Sequence, residues 1–288
     1  MAVVVNTNIS SLTASRILTE NRGDLERAME RLASGKRINS AKDDAAGMAV
    51  SAKMRAEIRS LNQAVRNTND AISLVNTYDG AAQEIEAILI RMRELAVQVK
   101  NGTYENADRT NANYEYSALK TEITRIASVS SFNRVTLAQG SSGAAGGTGS
   151  STTSFNFYVG SDPAKNGNTV TFAAQALDLN LTVSGSSLKD ILSEANAGSA
   201  AVAVDKALTK LAQSRADAGA MVNRLEHTVS NLMNVSQNLS EAVSAIEDTD
   251  YAAESANLAR ATVLAQAGTA MLAQANQSPN YILTLLRQ

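Results

Sequence analysis

The chain has 288 residues, a net charge of −2, no cysteine, no tryptophan and one histidine. This balanced charge argues against nucleic acid as the main partner, because phosphate binding needs a concentrated excess of Lys and Arg. The absence of cysteine excludes disulfides and thiolate metal sites. Only 4 % of the residues are aromatic, which favours packing by Ala, Leu, Ile and Val, as in helical bundles.

The first helix is predicted over about residues 10–34. Leu18, Leu25 and Leu32 recur at intervals of seven, which is the repeat of a coiled-coil seam. Gly35 suits the left-handed conformation that ends many helices. The residues before this helix lack the basic and apolar regions of a cleavable signal peptide. If the protein leaves the cell, we expect a route that reads no cleaved leader.

A long second helix is predicted over about residues 48–100. Aliphatic residues with alternating spacings of three and four cover residues 58–75 and 85–99, with a break in phase near Tyr78–Gly80. These spacings are typical of coiled-coil seams. At 1.5 Å per residue the helix would be about 80 Å long, which is too long for a compact globule of this size.

The composition changes after a further helix, whose apolar face covers residues 116–126. Residues 140–154 consist of Gly, Ser, Ala and Thr, which is the composition of a flexible linker. The alternating apolar residues that follow, with turn signals between them, predict a small antiparallel sheet. The predicted strands cover residues 155–159, 170–172 and 177–183.

Helical patterning returns near Ala195 and continues to the end of the chain. Residues 222–246 keep the spacing of three and four without a slip and therefore need partner helices, for which the two earlier seams are the obvious candidates. Residues 255–286 carry one charge, Arg260. A helix this apolar must be buried against something. Its Gln and Asn residues and Pro279 argue against a membrane span.

These patterns predict a mainly α fold. We expect an elongated antiparallel helical bundle with coiled-coil termini and a small antiparallel β-sheet or hairpin region at its outer tip. Residues 1–42 and 248–288 would form a terminal coiled-coil domain. Residues 43–137 and 188–247 would form a helical bundle domain, and residues 138–187 a short variable segment.

The sequence offers little material for catalysis. His227 lies in a predicted seam-bearing helix, where a surface or interface role is favoured. Residues 140–149 are rich in Gly but lack the Gly-Lys-Ser/Thr of a phosphate-binding loop. No HExxH motif is present. We therefore predict no enzymatic activity and no catalytic, cofactor-binding or metal site.

Several segments resemble bacterial flagellin. The most specific is residues 32–47, LASGKRINSAKDDAAG. Residues 6–12, NTNISSL, and 91–98, RMRELAVQ, resemble the N-terminal half of the family. Residues 246–254, IEDTDYAAE, and 273–279, AQANQSP, resemble its C-terminal half.

The resemblance covers about residues 1–137 and 195–288. It implies an extracellular structural subunit that polymerises with itself into the hollow flagellar filament. It also implies unfolded export with an export chaperone through the flagellar type III apparatus, and contacts with the filament cap and junction proteins. No nucleic acid binding or membrane insertion is expected. One alternative is a hook–filament junction protein; another is a helical signalling or enzyme module.

The resemblance also implies roles for particular residues. The apolar termini would form the inner core of the filament, through self-assembly residues Leu12, Leu18, Leu25, Leu32, Leu258, Leu264, Leu272, Leu285 and Leu286. Arg91, Leu95 and Glu122 match positions used by the flagellin-sensing Toll-like receptor of animal hosts. Arg91 and Leu95 share a helix face, and Glu122 could lie on the adjacent helix. Alternatively, these three residues only stabilise the bundle.

Two smaller expectations follow from the same resemblance. Leu285 and Leu286 resemble the C-terminal patch recognised by cytosolic inflammasome receptors. Ser and Thr within residues 141–154 are candidates for O-linked sugars, as in exposed flagellin loops, and a bare linker is the alternative.

Overall fold

The computed structural model describes residues 7–137, 152–161, 167–177 and 190–285, and the side chains of the last helix as far as Gln277. These residues form five α-helices and four short β-strands. In chain order they are α1 (Ile9–Ser34), α2 (Ala45–Val99), α3 (Asn106–Val129), β1 (Ser131–Phe132), β2 (Val135–Thr136), β3 (Thr152–Tyr158), β4 (Thr169–Gln175), α4 (Glu194–Glu247) and α5 (Tyr251–Leu285). The predicted mainly α class with a small antiparallel β region is confirmed.

The chain divides into two compact units. The first comprises Met1–Ile58 and Gln237–Gln288, and the second comprises Arg59–Ser236. The boundaries predicted at residues 42 and 248 both fall within the first unit. The three-part division stays a prediction, and much of its variable segment lies outside the described residues.

One stripe of buried side chains runs along α2 in the second unit. Its members are spaced by three or four residues throughout. They are Leu61, Ala64, Thr68, Ala71, Val75, Tyr78, Ala82, Ile85, Leu89, Met92, Ala96 and Val99. The predicted break in phase near Tyr78–Gly80 is therefore wrong. Tyr78 and Ala82 continue the seam there, and α2 itself is uninterrupted.

Ion pairs join α2 to α4 along this stripe. Arg215 Nε lies 2.8 Å from Asp79 Oδ1, and the same guanidinium pairs with Glu86. Further along, Arg93 Nε lies 2.5 Å from Asp205 Oδ1. Residue numbers rise along α2 as they fall along α4, so the two helices are antiparallel, as the matched seams predicted.

The larger sheet packs on the core through one face of β4. Strands β3 and β4 are antiparallel, with Phe155 opposite Phe172. Phe172 is buried, and its ring meets the ring of Tyr78 edge-on at 5.5 Å. The Tyr78 hydroxyl donates to the Gln175 carbonyl at 3.0 Å. The strands predicted at residues 155–159 and 170–172 are confirmed, whereas most of the one at 177–183 lies outside the described residues.

Candidate assembly surface

The two ends of the chain pair with each other in the first unit, as helices α1 and α5. Leu18 and Ala28 from α1 and Ala261 from α5 are buried. Gly268 permits a close approach, because a Cβ atom at this position would lie 3.2 Å from Leu18 Cδ1. The seven-residue spacing around Leu18 thus marks the face of α1 that α5 covers.

Hydrogen bonds connect the start of α1 to the later part of α5. Asn8 caps α1 by accepting from the Ser11 amide at 3.1 Å. Its side-chain amide also donates to the Ala275 carbonyl at 2.7 Å. The Ser11 hydroxyl donates to Asn276 Oδ1 at 2.7 Å. A single residue therefore both starts α1 and holds α5 against it.

The paired helices leave many large apolar side chains exposed. Seven of them have exposed fractions between 44 % and 67 %: Ile9, Leu12, Ile17, Met29, Val263, Leu264 and Met271. Several border a groove of about 500 Å³ between α1 and α5. Large exposed apolar surfaces mark interaction sites in soluble proteins. We call these seven residues the exposed apolar surface.

The predicted self-assembly residues occupy different environments. Leu18 is buried within the α1–α5 pair, whereas Leu12 and Leu264 belong to the exposed apolar surface. Four more are half-buried, namely Leu25, Leu32, Leu258 and Leu272. The side chain of Leu285, and Leu286 as a whole, lie outside the described residues.

Five members of the exposed apolar surface lie outside the positions predicted from the sequence. Ile9, Ile17 and Met29 lie on α1 outside the seven-residue repeat, and Val263 and Met271 lie on α5. The available signal was the near absence of charge in residues 255–286. That signal identifies α5 as a helix needing cover on several sides, but it does not select particular residues.

The two linkers that precede α2 and α5 lie side by side. The Arg37 amide donates to the Glu247 carbonyl at 2.6 Å, and the Thr249 amide donates to the Gly35 carbonyl at 3.0 Å. The Arg37 guanidinium donates to the Ile246 carbonyl at 2.6 Å. The segments of residues 32–47 and 246–254, far apart in sequence, therefore meet through backbone hydrogen bonds.

A buried carboxylate reinforces this meeting point. Glu247 is 5 % exposed, and its Oε1 lies 2.8 Å from Lys36 Nζ and 2.9 Å from Arg55 Nη1. Both cations are partly exposed, so water screens their charge and reduces the contribution of each pair. The buried carboxylate nevertheless needs both of them, because a buried charge without partners is strongly unfavourable.

Replacing Gly35 at the end of α1 is expected to destabilise the folded chain. Its φ of +72° lies in the left-handed region, and an added Cβ would lie 2.9 Å from the Tyr251 hydroxyl. Gly35→Ala should cost about 1–2 kcal/mol and lower the melting temperature of the soluble chain. Gly23→Ala is the control, since a Cβ there meets nothing within 4 Å; it should stabilise α1 by about 0.5–1 kcal/mol. Equal melting temperatures for the two variants would contradict this account.

The three candidate receptor residues have different environments. Arg91 Nε donates to Glu115 Oε1 at 2.8 Å, so its acidic neighbour on α3 is Glu115 and not Glu122. Glu122 pairs with Arg125 at 2.6 Å, and these hydrogen bonds lower the pKa of Glu122. Leu95 is 3 % exposed and belongs to the core.

Within the described residues, no three His, Cys, Asp or Glu side chains are grouped as metal ligands. In the same part of the chain, no helix is both long and apolar enough for a membrane span. His227 is exposed on α4. Most of the segment proposed to carry sugars lies outside the described residues.

Two family models match the chain. The model described as the bacterial flagellin N-terminal helical region matches residues 5–142. The model described as the bacterial flagellin C-terminal helical region matches residues 202–286. Together they include all five segments that carried the resemblance in sequence.

Relatives match over their full length. The chain is 42 % identical over 285 residues to the flagellin of Halalkalibacterium halodurans, covering 99 % of this chain and 100 % of that protein. It is 42 % identical over 287 residues to the flagellar filament core protein flaB2 of Brachyspira hyodysenteriae, with the same coverage. A solved putative flagellar hook-associated protein of Vibrio parahaemolyticus is similar with a TM-score of 0.57 over 72 % of this chain and 100 % of its own. Its sequence identity is 12 %, so this likeness shows the fold alone.

Proposed function

The chain belongs to the bacterial flagellin family, and from this premise we propose that its exposed apolar surface on α1 and α5 drives polymerisation into a flagellar filament. The observation that supports this proposal is that α1 and α5 bury only one face against each other. Seven large apolar side chains remain exposed on the other faces. Polymerisation would remove this area from water, at about 25 cal/mol per Å² of apolar surface.

Contacts between two different surfaces of neighbouring copies would produce an open polymer. The exposed apolar surface would be covered by a different part of a neighbouring copy, because the two helices differ in sequence and exposure. Such heterologous contacts produce a helical filament whenever the rotation between copies does not close a ring. The half-buried residues Leu239 and Val243 of α4 offer a second surface for the same purpose.

A hook–filament junction role is not favoured. The relatives that match over their whole length are named as flagellin and as a flagellar filament core protein. The structural likeness to a hook-associated protein rests on 12 % identity and therefore does not separate the two functions. The filament subunit is the function that these relatives support.

The proposal includes a location and partners. The subunit would reach the extracellular flagellum through the flagellar type III export apparatus, accompanied by an export chaperone. It would meet the filament cap and junction proteins there. The family membership supports these steps. A chain with an exposed apolar surface of this size also needs a covering partner before it polymerises.

Electron microscopy of the purified chain tests the polymer. Hollow tubes of indefinite length should form after ammonium sulfate or short filament seeds are added. Incorporation of this chain into the tubes is checked by labelling. Persistent monomers, or a single short layer capping the seed ends, would contradict the proposal and favour a junction protein.

We further propose a receptor surface, supported by the resemblance and by the exposure of Arg91. Arg91 is exposed and Glu122 is half-buried, whereas the buried Leu95 could act only by supporting α2. Arg91→Ala should reduce the response in a Toll-like receptor reporter assay by about tenfold, as expected for losing one charge-assisted hydrogen bond. Glu84→Ala, an exposed change elsewhere on α2, is the control. Silence of the unaltered chain would reject the idea.

A further inference from the structure

A polar pocket between α1 and α5 adjoins the exposed apolar surface and shares Leu264 with it. Its volume is about 230 Å³. Its floor includes Ala28 and Ala261, which are 2 % and 6 % exposed. Three arginines border it: Arg27 and Arg31 from α1 and Arg260 from α5. The carboxylates of Asp24 and Glu254 line it as well. The pocket therefore combines a buried apolar floor with a rim of charged side chains supplied by both helices.

The charges around the pocket do not balance. Arg27 pairs with Asp24, and Arg31 Nη1 lies 3.9 Å from Glu254 Oε2. Arg260 donates to Asn257 Oδ1 at 3.3 Å and forms no ion pair with any described residue. Three guanidinium groups thus face two carboxylates, which leaves one positive charge on the lining.

The spacing of these charged and polar residues places them on one face of each helix. Arg27 and Arg31 are four residues apart on α1, and Asn257 and Arg260 are three apart on α5, so each pair shares a helix face. Glu254, on the same face of α5, is 9 % exposed and accepts from Asn257 Nδ2 at 3.4 Å. This carboxylate is occupied by neighbours on both helices, whereas Arg260 keeps donors available to a ligand.

We propose that this pocket binds one small tetrahedral oxyanion, such as inorganic phosphate or sulfate. A water molecule takes up about 30 Å³ in the liquid, so the volume accommodates one such ion with several waters. Guanidinium groups present paired N–H donors that match two oxygens of a phosphate or sulfate. Arg260 supplies the principal contact, and Arg31 and Arg27 complete the site from the opposite helix.

The bound ion would connect α1 to α5. A ligand that contacts both helices binds the paired state and not the separated one, and by mass action it stabilises the pair. Phosphate or sulfate should therefore raise the melting temperature of the full-length chain more than chloride does at equal ionic strength. The site lies within the helix pair that carries the exposed apolar surface. A higher anion concentration would therefore increase the fraction of chains in which α1 and α5 are paired.

Isothermal titration of the full-length chain with sodium phosphate, sodium sulfate and sodium acetate tests the site, at fixed pH and ionic strength. One saturable site is expected for phosphate and sulfate. Arg260→Gln should weaken binding about tenfold or more, the loss expected for a charge-assisted hydrogen bond. Arg260→Lys should retain part of the affinity. Arg16→Gln, an exposed change on α1 outside the pocket, should leave it unaltered.

Three outcomes would overturn the site. The first is that neither the soluble nor the polymerised chain takes up phosphate or sulfate saturably. The second is equal weakening by Arg260→Gln and Arg16→Gln, which indicates general charge attraction. The third is acetate binding as tight as phosphate, which indicates a carboxylate ligand such as a side chain of a second copy. Circular dichroism verifies that each variant is folded. Normal filaments from a chain that binds no anion would reject the site while leaving the proposed function intact.

Discussion

A chain that lacks residues 255–288 is expected to form no filaments while residues 59–236 keep their fold. The deletion removes α5 beyond Glu254, including Ala261 and Gly268, which pack against α1. It also removes Val263, Leu264 and Met271 from the exposed apolar surface. Leu18 would lose its cover and α1 its partner. An isolated amphipathic helix of this kind is only marginally stable in water.

The second unit should be unaffected, because its buried stripe, its ion pairs and its sheet involve none of the deleted residues. Far-UV circular dichroism should therefore show loss of helix from the ends only, and electron microscopy should show no tubes after seeding. The control is a deletion of residues 141–150, which are Gly, Ala, Ser and Thr and should be dispensable for assembly. Normal filaments from the chain lacking α5 would refute the assembly role of the paired ends.

Helix positions were predictable from sequence because long periodic segments carry strong signals. The predicted first helix at residues 10–34 corresponds to α1 at Ile9–Ser34, and the predicted 48–100 corresponds to α2 at Ala45–Val99. The buried residues of the α2 stripe were harder to predict than the bounds of the helix. Ala64, Ala71, Ala82 and Ala96 occupy buried positions in the stripe. Alanine is also common on exposed faces, so its burial cannot be recognised from periodicity alone.

The exposed apolar surface was only partly predictable for a different reason. A seven-residue repeat identifies the face of α1 that contacts its partner within the chain, and Leu18 is on that face. It does not identify the face that we propose contacts another copy, where Ile9 and Ile17 lie. Likewise, the acidic partner of Arg91 depends on how far α3 is shifted along α2. A single sequence does not specify this shift, and the structure places Glu115 there.

Tyr78→Ala is expected to destabilise the second unit by about 3–5 kcal/mol, the range for deleting a buried ring. Tyr78 is fully buried, occupies the middle of the α2 stripe and packs edge-on against Phe172 at 5.5 Å. Its removal would leave a cavity between α2 and β4. Tyr78→Phe keeps the ring and removes the hydroxyl, which donates to the Gln175 carbonyl and also hydrogen-bonds with Ser214. It should cost about 1–2 kcal/mol. Urea unfolding of the soluble chain measures both. A loss below about 1 kcal/mol for Tyr78→Ala would show that the surrounding helices collapse into the space.

The same tyrosine should make the fold sensitive to high pH. Burial raises the pKa of Tyr78 to about 12, and burial likewise raises the pKa of Tyr116 to about 12, whereas an unfolded tyrosine has a pKa of about 10. Because the folded pKa exceeds the unfolded one, the neutral phenols contribute fully below pH 10 and progressively less as the pH rises toward 12. The urea midpoint should therefore fall across this interval, and the fall should be smaller in Tyr78→Phe because one of the two groups is gone. Tyr114→Phe, which removes a hydroxyl at a position 72 % exposed, is the matched control. If Tyr78→Phe shows the same pH dependence as the unaltered chain, the Tyr78 phenol is not held in its neutral form by burial.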